Sequence, residues 1–71
     1  MIDDQNTHII EQAAALLGSK SELARQLGVR PQSVRKWVRY DRIPAEQCIP
    51  IERVTQSRIT RYQLRPDLYP A

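Results

Sequence analysis

The sequence predicts an all-α fold of about five short helices, on the strength of two observations. Apolar residues recur at helical spacing through most of the chain, and its only two glycines, Gly18 and Gly28, fall where amphipathic stretches end. With 71 residues, the chain is long enough for one domain, 1–71, built around one modest core.

The elements follow in order. Ile9, Ile10, Ala13, Ala14, Leu16 and Leu17 give a first amphipathic helix that stops at Gly18. Ser19-Lys20-Ser21-Glu22 has the spacing of a capping box, in which Ser19 and Glu22 each bond the other's backbone N–H. A second helix then runs through Leu23, Ala24 and Leu27 to Gly28, a residue suited to a left-handed cap. A third opens at Arg30-Pro31, since proline fits the first helical position, and continues to about Tyr40. Pro44 marks another helix start, but Pro50 forbids an unbroken helix through to Val54. Pro44–Cys48 and Pro50–Val54 therefore form two short helical pieces or one kinked helix. The tail, 56–71, mixes Ile59, Tyr62, Leu64, Leu68 and Tyr69 with prolines, which fits a short strand or a turn folded back on the core. Tyr62, Leu64 and Tyr69 suit either core packing or a dimer seam.

Composition excludes several classes. One cysteine permits neither a disulfide framework nor a cysteine-based zinc site, and Cys48 lies in an apolar segment, as a buried hydrophobe would. His8 is isolated, so no metal site is expected. Glu11, Glu22, Glu46 and Glu52 read as surface or capping residues, and no glycine-rich phosphate loop is present. No nucleophile, base or metal set is assembled, so neither an enzyme nor a cofactor is expected. The stretch from Met1 to Asn6 is acidic and polar, unlike a secretion signal, and no apolar run approaches a membrane span. A soluble cytoplasmic protein is the expectation.

The charge pattern is more informative than the charge. The chain carries 11 Lys+Arg against 8 Asp+Glu, a net +3. No acidic residue occurs from Leu23 to Tyr40, whereas Arg25, Arg30, Arg35, Lys36 and Arg39 all lie there. At about 100° per residue, Val34, Trp37 and Val38 share one face of the third helix, and Gln32, Arg35, Lys36 and Arg39 share the opposite one. Ordinary solvated faces interleave signs to gain i,i+4 pairs, and this one does not. Arg30 also stands at a helix N-terminus, where the macrodipole disfavours a cation unless an anion lies nearby. A nucleic-acid partner is the natural complement. Trp37 reads as the core anchor of the helix, not as a base-stacking platform.

The run Lys20-Ser-Glu-Leu-Ala-Arg-Gln-Leu-Gly-Val-Arg-Pro-Gln-Ser-Val-Arg-Lys-Trp-Val-Arg39 resembles a helix-turn-helix of the phage repressor type. Ala24 sits where the two helices cross, Gly28 at the turn, and Leu23, Leu27, Val29, Val34 and Trp37 at the core positions. The stretches Ile43-Pro-Ala-Glu-Gln-Cys-Ile-Pro-Ile-Glu-Arg-Val-Thr55 and Thr60-Arg-Tyr-Gln-Leu-Arg-Pro-Asp67 are similar to Cro-like, YdaS-type regulators of bacterial prophages. The resemblance covers roughly 9–69. It implies a lambda-repressor-like fold and a bacterial, nucleoid-associated regulator of transcription. It further implies binding to a double-stranded operator, as a homodimer on DNA and a monomer or weak oligomer in solution. By the same resemblance the third helix enters the major groove, with Gln32, Ser33, Arg35 and Lys36 on base edges and Lys20, Ser21, Arg30, Arg39, Tyr40 and Arg42 on phosphates. Pro31 departs from the glutamine that many phage repressors carry at that position, which leaves Gln32 with more of the reading. An antitoxin that binds a partner toxin through the tail is the alternative within the same fold.

Overall fold

The computed structural model describes residues 8–70, so the acidic N-terminal stretch read above lies outside the described residues. Five α-helices follow one another: α1 (Ile9–Leu17), α2 (Lys20–Leu27), α3 (Pro31–Arg39), α4 (Cys48–Val54) and α5 (Arg61–Leu64), with a 3₁₀ turn at Ala45–Gln47 leading into α4. None of the described helices is long and apolar enough to cross a membrane.

The first helix begins at His8, whose Nδ1 accepts from the Ile10 N–H at 3.1 Å. It buries Ile10, Ala13 and Ala14, the i, i+3, i+4 stripe. Leu16, read above as part of that stripe, is 43% exposed because it lies about 100° from its centre. The second helix has only half of the predicted capping box. Ser19 Oγ accepts from the Glu22 N–H at 3.0 Å, but the Glu22 carboxylate turns forward to Arg25 and Gln26 instead of back to Ser19. Gly28 closes α2 at φ 74°, and the Val29 N–H reaches back to the Ala24 carbonyl at 3.0 Å, which completes a left-handed cap.

Proline marks the start of α3 as expected, and Val34 and Trp37 bury its inner face. Past Tyr40 the chain turns left-handed at Asp41 (φ 50°), and the Arg42 N–H bonds the Trp37 carbonyl at 3.0 Å. In the next segment the break falls earlier than either predicted piece allows. The 3₁₀ turn ends at Gln47 and α4 starts at Cys48, which puts Pro50 in the first helical turn. A missing N–H costs nothing there, because first-turn donors have no carbonyl within the helix.

Among the described residues the tail contains no strand; it forms a short helix, α5, followed by a turn at 66–68, and it folds back on the core as expected. Thr60 and Gln63 form a full capping box for α5: Thr60 Oγ1 accepts from the Gln63 N–H at 3.3 Å, and Gln63 Oε1 accepts from the Thr60 N–H at 2.7 Å. Ile59 and Leu64 enter the core and Tyr69 packs against it, while Tyr62 is 39% exposed. Leu64 is thereby a core residue, and Tyr69, partly buried, packs against the core. Arg65 donates to the Ile43 carbonyl at 2.7 Å and tethers the tail to the chain just beyond α3.

The core is small. Ile10, Leu23, Val34, Cys48 and Ile51 are wholly enclosed, with Ala13 and Ala24 where helices pass closely. At ~1.5–3 kcal/mol for each large side chain removed from water, these few residues supply most of the drive to fold. Cys48 is fully buried, as the sequence suggested, and burial pushes its thiol pKa up. The second helix lies at the centre and packs on α1, α3 and α4.

Among the described residues, Thr55 is the one buried polar side chain of this core. Its Oγ1 donates to the Ile51 carbonyl at 2.8 Å and accepts from the Ile59 N–H at 3.3 Å, which joins the end of α4 to the tail. Thr55→Val keeps the shape but strands a buried N–H, so urea unfolding should show a loss of ~1–3 kcal/mol. Thr55→Ser should retain most of the stability. Equal stability for the valine variant would remove Thr55 from this role.

Candidate nucleic-acid interface

The rotation of α3 is set from behind. Val34 is 0% and Trp37 8% exposed, and Val38 packs against the same core. Each residue advances about 100°, so with that face fixed Gln32, Lys36, Arg39 and Arg35 must point away. All four are exposed. Ser33 is half-buried on the flank, where Ser33, Lys36, Trp37 and Tyr40 form one wall of a groove completed by Arg42 and Pro44. The predicted base-reading set thus shares one side of one helix.

The other predicted positions surround that helix. Arg30 is exposed at the α3 N-terminus, in extended conformation and with no side-chain cap. Arg39 lies over the Tyr40 ring at 5.7 Å, and Tyr40 itself is 66% exposed. Arg42 is exposed just beyond. Ser21 is exposed in the first turn of α2, whereas Lys20, its first residue, is half-buried.

Ion pairing divides the cations into two groups. Lys20 Nζ lies 3.4 Å from Glu11 Oε2, and Arg25 is held side-on by the Glu22 carboxylate, with Nε to Oε1 at 3.1 Å. Arg61 pairs with Glu52 and Arg65 with Asp67 in the tail. Among the described residues, Arg30, Arg35, Lys36, Arg39 and Arg42 form no ion pair, nor do Arg53 and Arg58 on the α4 side. The acid-free run read from the sequence therefore needs one amendment: Arg25 is neutralised by a carboxylate just upstream of it. Among the described residues the α3 face itself has no counter-charge.

Sequence reasoning missed the clamp at the end of α3. His8 is not isolated in space. Because its Nδ1 accepts from Ile10, its Nε2 carries the proton and donates to Asp41 Oδ1 at 2.7 Å. One side chain thus starts α1 and holds the left-handed residue that stops α3. The two partners are 33 positions apart, and no local pattern joins them. Glu11 was likewise read as a plain surface residue, and its contact with Lys20 depends on how α1 packs on α2.

The comparisons with known proteins agree with this geometry. A family model described as bacterial toxin YdaS matches residues 10–71. The protein described as "Putative transcriptional regulator YdaS" from Escherichia coli K12 is 42% identical over 65 residues. That match takes in 90% of this chain but 66% of the relative, so the chain spans just under two thirds of the relative's length. Among solved structures, "the Cro protein from putative prophage element Xfaso 1 in Xylella fastidiosa strain Ann-1" superposes with a TM-score of 0.88 at 45% identity. This covers 92% of the present chain and 100% of that one. The all-helical fold is therefore Cro-like.

The α2 pairing has a measurable consequence. Hydrogen bonds from Arg25, then from Gln26, hold the Glu22 carboxyl down at about 2, against an ordinary value of 4.5. A lowered folded-state pKa contributes stability that is present above the ordinary carboxylate range and fades as pH falls towards 2. Side-chain carboxyl NMR should therefore find Glu22 titrating far below an ordinary glutamate. Arg25→Gln should move it back up towards the ordinary value, and no movement would contradict the pairing.

Proposed function

The chain belongs to the YdaS family, and from that premise we propose that it is a non-enzymatic, Cro-like transcriptional regulator, a sequence-specific repressor of a prophage operator. It acts as one DNA-binding domain, with α3 and its continuation to Tyr40 in the major groove. The observation that carries this reading is the outward face of α3: an amide and three cations held by a buried apolar face and, among the described residues, matched by no carboxylate. Gln32 suits a bidentate contact to adenine, and Arg35 and Lys36 suit guanine, with Ser33 beside them. Lys20, Ser21, Arg30, Arg39, Tyr40 and Arg42 hold phosphates and fix the register. The arginine at the α3 N-terminus, unfavourable in the free protein, gains its counter-charge from the DNA backbone.

Two subunits occupy symmetry-related half-sites, and they pair on DNA more firmly than in solution. The protein works in the bacterial cytoplasm, associated with the nucleoid. The antitoxin alternative has no observation in its favour, and the family description is that of a toxin, the opposite role.

Selection from a random duplex pool supplies the operator for the test. Gln32→Ala and Arg35→Ala should each weaken operator binding by ~1–3 kcal/mol, roughly five- to 150-fold, with far less change on random duplex. Arg39→Gln should weaken both duplexes alike and lower the slope of log affinity against log salt by about 1. If Gln32→Ala and Arg35→Ala bind the operator as tightly as wild type, α3 does not read it.

A further inference from the structure

We infer that Glu11 is a built-in competitor for the phosphate held by Lys20, so that one carboxylate outside the recognition helix sets the strength of DNA binding without reading a base. This rests on the DNA-binding reading of α3 and adds to it a residue from α1. Of the cations assigned to phosphates, Lys20 alone has an internal carboxylate partner among the described residues, Glu11 at 3.4 Å. Both side chains are 39% exposed, so the pair is open to an arriving phosphate yet close enough to persist in its absence. Glu11 stands in the first turn of α1, where the helix dipole favours an anion. Lys20 is the first residue of α2, fixed by the Ser19 cap behind it. The backbones that carry the carboxylate and the ammonium are both fixed at helix starts, which keeps the two side chains within reach of each other.

Docking on DNA then becomes an exchange. The Lys20 ammonium gives up Glu11 for a phosphate oxygen, and its net gain is reduced by the pair it breaks. Arg30, Arg39 and Arg42 pay no such cost, because they break no ion pair among the described residues. Partly exposed pairs of this kind have modest strength, which bounds the effect at about fivefold in affinity. The exchange carries no sequence information, so it scales operator and random-duplex binding together.

The test uses the full chain with Glu11→Gln, Lys20→Met and the double variant, each titrated against operator and random duplex over a range of salt. Glu11→Gln should tighten binding about two- to fivefold on both duplexes. The gain should vanish in the Lys20→Met background. Glu11→Asp, which keeps a first-turn carboxylate but shortens its reach, should give a smaller gain and serves if the glutamine variant folds poorly. No gain from any Glu11 variant overturns the inference, as does an equal gain with and without Lys20, since Glu11 would then act by simple repulsion. If the wild type shows no salt-dependent binding to any duplex, the DNA-binding reading itself fails.

Discussion

Everything the outer surface of α3 can do depends on the burial of Val34 and Trp37 behind it. These two side chains fix the rotation of a nine-residue helix about its axis, and rotation decides which residues face out. A helix this short has little stability of its own, so its packing holds it in shape. The same burial that stabilises the fold therefore aims Gln32, Arg35, Lys36 and Arg39. Replacing the indole with a small residue would cost more than a core contact, because the outward stripe would lose its reference.

The ends of the helices come next in importance. Four helices stop at positive-φ residues, α1 and α2 at Gly18 and Gly28 and the next two at residues with side chains. Asp41 and Gln56, with Ser57 after it, adopt positive φ after α3 and α4. Such conformations cost ordinary side chains about 1 kcal/mol or more, and other contacts must hold them. Asp41 has one such contact in His8, and the Arg42 N–H closes the turn onto Trp37. Beyond α4, the Ser57 N–H bonds the Glu52 carbonyl at 2.8 Å and Thr55 ties the turn to Ile59. The result is a chain of very short elements whose boundaries are set by hydrogen bonds as much as by apolar burial.

Much of this was legible in the sequence. The two glycines, Pro31 and the apolar stripes located α1, α2 and α3, because each of those signals is local. The Thr60–Gln63 capping box was equally local; proline density obscured it and favoured a strand or turn. What sequence could not supply was everything set by packing between helices. The His8–Asp41 clamp and the Glu11–Lys20 pair join residues that no periodicity relates, and the forward turn of Glu22 follows from competition between a backbone N–H and two nearby donors. The candidate interface was legible because its face is amphipathic in one helix. Which of its cations are already matched by carboxylates depended on neighbours from other helices.

Which surface meets DNA decides the function proposed for α3. Isotope-labelled protein titrated with its selected operator duplex, followed by backbone and side-chain NMR shifts, tests this directly. The largest changes should cluster at Gln32, Ser33, Arg35, Lys36 and Arg39, flanked by Lys20, Ser21, Arg30, Tyr40 and Arg42, with the α4–α5 tail little affected. Shifts concentrated on the tail around Arg53 and Arg58, with α3 unmoved, would contradict it.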